Sequence, residues 1–232
     1  MYESVRVHED GPTTPDRFGL TVKNAGFEGL VVRNRQSVPA AVDHEAIAKR
    51  HGIDVVQGIE ITADEPRTAS GAIGNRRPEA EVLLVQGRDP EMNRFVVERA
   101  QVDVLADPMG GAGDINHVIA QTAAENDVAL ELNLGPVLRS SGGDRVRAIK
   151  GLRKLHELVA DAGAPFVVSG APSSHLQVRG PRELFAVGAQ IGFDRETIQQ
   201  GLATWRTIAE RNRHRRDPDT VGPGVTVSEP EN

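Results

Sequence analysis

Asn126-Asp-Val-Ala-Leu-Glu-Leu-Asn-Leu-Gly-Pro-Val-Leu-Arg139 contains a short apolar run, Val128 to Leu132, that ends at Gly135-Pro136. A run of this length, preceded by a helical pattern and closed by turn residues, reads as a buried strand between helices. Side chains alternate along a strand, so Glu131 faces away from Leu130 and Leu132. A carboxylate is seldom fully buried without a partner, which makes Glu131 the informative residue. Val55-Val-Gln-Gly-Ile-Glu-Ile61 repeats the arrangement, with Glu60 between two isoleucines near the end of the run. Two such carboxylates at strand ends point to one shared polar mouth.

Outward from these runs, further strand patterns begin near Tyr2, Gly29, Glu81, Val102 and Phe166, each followed by a helical pattern. Thr14-Pro15, Asp43, Asp89-Pro90, Asp114, Asp144, Gly180-Pro181 and Asp194 carry helix-start chemistry. Val146, Ile149, Leu152, Leu155 and Val159 fall on one face of a long helix over Arg145 to Ala162, and Ile198, Leu202, Trp205 and Ala209 form one stripe of the last. Repeated β-α units predict parallel strands covered by helices, and seven or eight of them a single-domain, TIM-like (β/α) barrel. A doubly wound open sheet is the alternative. In a barrel the strand C-terminal ends form the functional face, which collects His8, Arg33, Glu60, Asp107, Glu131 and Ser169.

The barrel domain is expected over residues 1–213 and a flexible tail over 214–232, where Pro, Gly and acidic residues accumulate. Thr62 to Pro78 shows no periodicity and carries Pro66, Gly71 and Gly74 with Arg67, Arg76 and Arg77. It reads as an irregular connection, either a solvated insertion or an RNA-gripping arm. Asp107 to Gly113 is expected to be a loop; it lacks the Gly-Lys-Ser/Thr ending of a phosphate loop.

With 232 residues, 38% of them hydrophobic and 26% charged, the chain suits one globular domain. Neither a membrane-spanning run nor a leader pattern is present, so a cytoplasmic protein is expected. The absence of cysteine excludes thiolate nucleophiles and thiolate metal sites. A net charge of -6 argues against a uniformly basic nucleic-acid coat while leaving local basic surfaces open. Lys appears only at Lys23, Lys49, Lys150 and Lys154; the other basic residues are Arg, which suits bidentate phosphate contacts. Base composition or a salty cytoplasm gives the same bias. The cluster Arg211 to Arg216 either opposes the dipole of the last helix or forms an RNA-facing tip.

Carboxylates and histidines at strand ends could hold a divalent metal and activate water. Of seven histidines only His8 and His175 lie near the functional face, and neither belongs to a His-x-His pair. Ser169-Gly170 lacks the Gly-x-Ser-x-Gly elbow of serine hydrolases. The residues alone therefore define a barrel with a polar mouth and no assembled catalytic set.

Gly58-Ile-Glu-Ile61, Asn93-Arg94 with Glu98, Val102-Asp-Val-Leu105, Val128 to Asn133, Leu176 to Leu184 with Arg179-Gly-Pro181, and Ala209-Glu-Arg-Asn212 carry a family likeness. Over roughly Tyr2 to Arg213 the chain resembles the archaeal and eukaryotic ribonuclease P protein component 3 family. That family is similar in fold to the polymerase-and-histidinol-phosphatase barrels, whose phosphoesterases bind metals through histidines and carboxylates. On that pattern Glu60 and Glu131 stand at acidic positions and His8 at the second histidine of the first strand. Arg6 takes the partner histidine's place, Asn34 stands where the second strand would end in histidine, and Asp107 replaces a histidine before proline. Ser169-Gly170-Ala171 lacks the Ser-Asp-Ala-His form.

The resemblance implies a subunit of ribonuclease P, the ribonucleoprotein that removes the 5′ leader from precursor tRNA. Its active site and magnesium ions would lie on the RNA, with no cofactor or metal held by this chain. The implied partners are ribonuclease P RNA, protein component 2 and the other protein subunits, with precursor tRNA engaged indirectly. His8, Glu60, Asp107 and Glu131 would form a vestigial polar mouth. Arg33, Arg94, Arg139, Arg179 and Arg182 would contact RNA or organise the partner-facing surface. The alternatives are a metal-dependent phosphoesterase using Glu60 and Glu131, and a barrel that binds a small phosphorylated ligand.

Overall fold

The computed structural model describes residues 1–216. Seven strands, β1 (Tyr2–Val7), β2 (Gly29–Arg35), β3 (Asp54–Ile61), β4 (Val82–Gln86), β5 (Val104–Ala106), β6 (Ala129–Asn133) and β7 (Phe166–Ser169), form one parallel sheet in sequence order. The helices are α1 (Pro15–Asn24), α2 (His44–His51), α3 (Pro66–Arg76), α4 (Pro90–Val97), α5 (His117–Glu125), α6 (Gly135–Arg139), α7 (Gly142–Ala162), α8 (Pro181–Ile191) and α9 (Arg195–Arg216). A parallel sheet needs both faces covered, so its strands read as continuous apolar runs, as Gly29 to Val32 and Val82 to Val85 do.

The two faces divide the core. Leu30, Val32, Leu83, Val85, Leu105, Leu130 and Val168 pack beneath the surrounding helices. The alternate positions, among them Val31, Val56, Val82, Leu84, Val104, Ala129 and Val167, form a second apolar cluster that receives Trp205, Ile208 and Ala209 from α9. Gly58 falls on this face, in phase with Val56 and Glu60, and a Cβ there would stand 2.8 Å from the Val32 carbonyl oxygen, so the close approach of β2 requires glycine.

Strands β1 and β7 are not paired with each other, so the barrel is nearly closed. Helix α9 packs on both of them. Buried Trp205 donates its indole N–H to the Val168 carbonyl at 2.8 Å, which satisfies an acceptor that the missing neighbour strand leaves free. A Cβ on Gly201 would lie 2.4 Å from Val168 Cγ2, so glycine permits this approach. Across the seam the Arg6 N–H donates to the Pro172 carbonyl at 2.9 Å, and the Gly170 N–H to a Glu3 carboxylate oxygen at 3.0 Å.

At the strand N-terminal end, Asp103 accepts from Asn212 at 2.8 Å, Arg211 at 2.9 Å and Arg77 at 2.6 Å. Arg213 bridges Asp54, at 2.8 Å, and Glu81, at 2.7 Å. These bonds fasten α9 to the strands, so Arg211 and Arg213 are not a free RNA-facing tip. Residues 214–216, expected in the tail, form the end of α9; the rest of the expected tail, 217–232, lies outside the described residues.

Thr62 to Pro78 also departs from expectation, because it contains α3. Only Ala69 and Ile73 are buried on that helix, and glycines interrupt its outer face, so it leaves little periodic signal. Arg76 pairs with Glu79 and Arg77 with Asp103, which leaves Arg67 alone of the three supposed arm arginines without a carboxylate partner among the described residues. Asn116, rather than Asp114, caps α5, since the Asp114 carboxylate accepts from Lys154 and from the Ile115 N–H. Helix α7 starts at Gly142, before Asp144, and Val146 on it is exposed.

Candidate functional site

The alternation that puts Glu131 opposite Leu130 and Leu132 turns it into the barrel, and the same phase on β2 and β3 brings in Arg33 and Glu60. Arg33 donates from Nη1 to Glu131 at 2.6 Å and from Nη2 to Glu60 at 2.8 Å. All three side chains are essentially buried. Glu131 further accepts from the Ser169 hydroxyl at 2.5 Å and the Asp107 N–H at 2.9 Å. Arg6 approaches the other Glu60 oxygen at 3.4 Å. A buried charge requires this density of partners, because each ion is costly to remove from water.

The electrostatics follow from the geometry. Burial pushes the Glu60 carboxyl up, but Arg33 and Arg6 outweigh it and hold the group below its ordinary range. Burial also opposes the charge on Arg33, and Glu131 and Glu60 overcome that, raising it above the ordinary guanidinium value. Asp107 is pushed up, first by burial and then by the neighbouring Glu131 charge. Its backbone is left-handed, with φ 50°, and its N–H bond to Glu131 helps hold that strained turn.

Arg33 faces inward rather than toward a partner. Its side chain has no exposed surface, so it cannot touch RNA in this conformation; it is the counter-ion of the two mouth carboxylates. Arg139 is exposed, with its guanidinium donating to the Gly170 carbonyl at 2.8 Å and the Ala171 carbonyl at 3.2 Å. Arg179 and Arg182 stand at the start of α8, Arg179 donating to the Val178 carbonyl at 2.9 Å. Arg94 lies on α4 and pairs with Glu98, and no hydrogen bond or ion pair joins it to the mouth residues. Its neighbour Asn93 is buried and holds the loop after β5, donating to the Pro108 carbonyl at 2.8 Å and the Asp114 carbonyl at 3.0 Å.

The mouth has two unlike halves. One is a cavity of about 380 Å³ lined by Asp107, Glu131, Asp144 and Arg147 with Leu152 and Leu155. The other, of about 390 Å³, is lined by Arg6, His8, Arg35, Glu60, Arg139 and Ser173. Arg35 and Glu3 are residues that sequence reasoning missed. The signal for Glu3 was available: it is in phase with Val5 and Val7 rather than with Ser4 and Arg6. It is fully buried at the β1/β7 seam, and burial pushes its carboxyl up to about 7.

A metal set of the barrel-phosphoesterase kind does not fit these residues. A cation between Glu60 and Glu131 would have to displace the Arg33 guanidinium. Asn34, at the expected second-strand ligand position, is bound to the Ala40 backbone at 2.8 and 2.9 Å. Among the described residues, no three His, Asp or Glu side chains form a group that could hold a metal.

Fold and mouth together define a nearly closed (β/α) barrel whose mouth carboxylates are paired with an internal arginine. A histidinol phosphate phosphatase of Lactococcus lactis, solved with zinc, L-histidinol and phosphate, shares the fold at TM-score 0.58. It is 10% identical, over 83% of this chain and 94% of that one, so the likeness is of fold alone. The family model for RNase P subunit p30 matches residues 1–217. The chain belongs to that family. Ribonuclease P protein component 3 of Haloarcula marismortui is 52% identical, covering 99% of this chain and 97% of the relative, and that of Halobacterium salinarum is 48% identical over 97% and 96%. A chain in a structure of archaeal ribonuclease P with mature tRNA matches at TM-score 0.84 with 22% identity, covering 100% of both.

Proposed function

We propose that this chain is a non-catalytic protein subunit of ribonuclease P that stabilises the folded catalytic RNA, working through protein component 2. The observation that carries the reading is full-length membership of the p30 family in a barrel whose mouth carboxylates are occupied by Arg33. Leader removal then belongs to the RNA and its magnesium ions, and this chain binds no cofactor of its own. The complex works in the cytoplasm; no helix among the described residues is long and apolar enough to cross a membrane.

Arg94, Arg139 and Arg182, which are exposed, and Arg179, which is half-buried, are the residues through which the chain acts. Guanidinium groups neutralise phosphates without reading sequence, which lowers the magnesium needed to fold the RNA. Aromatic residues are 3% of the chain, so backbone and shape recognition outweighs base stacking. Arg94→Ala and Arg179→Ala are expected to fold normally, because Arg94 is exposed and paired only with Glu98, and half-buried Arg179 bonds only to neighbouring carbonyls and Glu183. In the reconstituted enzyme each should raise the magnesium concentration required for cleavage. Each should also flatten the salt dependence of RNA binding by about one in log-log slope. Unchanged magnesium titrations for both variants would remove these two arginines from the interface.

A further inference from the structure

We infer that the basic half of the barrel mouth is a binding site for a phosphoryl oxyanion. Three arginines from three elements line one cavity of about 390 Å³: Arg6 from β1, Arg35 from β2 and Arg139 from the end of α6. His8 and Ser173 line it as well.

The site is short of negative charge. Its one carboxylate, Glu60, already accepts from Arg33 at 2.8 Å and faces Arg6 at 3.4 Å. Nη2 of Arg6 is buried and has no hydrogen-bond partner. Arg35 makes no side-chain hydrogen bond or ion pair with another described residue, and Arg139 is held by two carbonyls and no carboxylate. Although Arg139 as a whole is exposed, partial burial of its guanidinium against Gly170 and Ala171, and then the Arg6 charge, depress its ordinary basicity; Arg179 adds to that repulsion, while Glu3 and Asp107 partly relieve it. An anion placed among these groups would relieve the repulsion and satisfy the orphaned donor.

Donor geometry selects the class of anion. Guanidinium groups present paired N–H donors that match phosphate oxygens, and arginines from three elements around one cavity suit a tetrahedral group with several oxygens. A divalent cation finds no open carboxylate here. Two sources share the chemistry, an RNA backbone phosphodiester and a small free phosphate compound.

The test uses the full chain and inorganic phosphate or pyrophosphate, compared with chloride at equal ionic strength. Saturable thermal stabilisation is expected, about 3 °C for each tenfold rise in phosphate beyond half-saturation. Arg35→Ala should abolish most of that response at unchanged basal stability, since its side chain has no partner to lose. Arg6→Gln should weaken it independently. Phosphate acting no differently from chloride overturns the proposal, and so does a wild-type response in both variants. Repeating the titration on the chain bound to ribonuclease P RNA separates the sources: loss of the phosphate response supports an RNA phosphate in the site, and its persistence supports a free phosphate compound.

Discussion

Replacing Arg33 with Ala should destabilise the protein by about 3–5 kcal/mol at neutral pH, the range found when one partner of a buried ion pair is removed. The substitution strands Glu60 and Glu131 in the barrel with little exposure, 3% and 1%. The pH dependence should also change sign. In the wild type Glu60 is held below its ordinary value, so its contribution is present above the unfolded carboxyl pKa and is lost as pH falls through the folded one. Without Arg33, burial dominates and the folded-state value rises, so the variant should gain stability on acidification. Combining Arg33→Met with Glu60→Gln and Glu131→Gln should recover most of the loss. Urea unfolding of the three proteins between pH 4 and pH 8, taken as about the useful range for carboxyl titration, checks this. Unaltered stability in Arg33→Ala would mean that the arginine is not the counter-ion of the mouth.

Glu3→Gln should act in the opposite direction. The Glu3 carboxyl is raised from 4.5 to about 7 by burial, which its hydrogen bonds from the Ser4 and Gly170 N–H groups only partly offset. Between those values the folded state binds more protons than the unfolded state, so stability falls as pH rises and levels off above the folded value. The interval corresponds to about 3 kcal/mol. Glutamine cannot ionise, so the variant should lack this slope and exceed the wild type at alkaline pH, less whatever the weaker neutral acceptor loses at Gly170. The same decline in both proteins would place the titrating group elsewhere.

These two effects mark the limits of what could be read from the chain. The strands were legible because a parallel sheet covered on both faces demands continuous apolar runs, and the intervening helices announced themselves through caps such as Thr14, Asp43 and Asp89. Helix α3 was not, since a helix that buries little more than Ala69 and Ile73 has almost no stripe to detect. The mouth carboxylates were visible as acidic residues out of phase with their strands. Their partner was not, because Arg33 meets Glu131 across 98 residues of sequence. A strand-end arginine looks the same on paper whether it faces RNA or its own barrel. Likewise the basic run at Arg211 to Arg213 gave no hint of Asp54, Glu81 and Asp103, which only the barrel brings together.

The central claim is that this chain is needed by an enzyme whose chemistry resides in RNA. The most direct measurement is cleavage of precursor tRNA by the cognate ribonuclease P RNA at limiting magnesium, with component 2 and the other proteins present, adding or omitting this chain. Cleavage is expected to be stimulated only when the chain is added, with high magnesium narrowing the difference. Folded protein that leaves the cleavage rate and its magnesium dependence unchanged would contradict it.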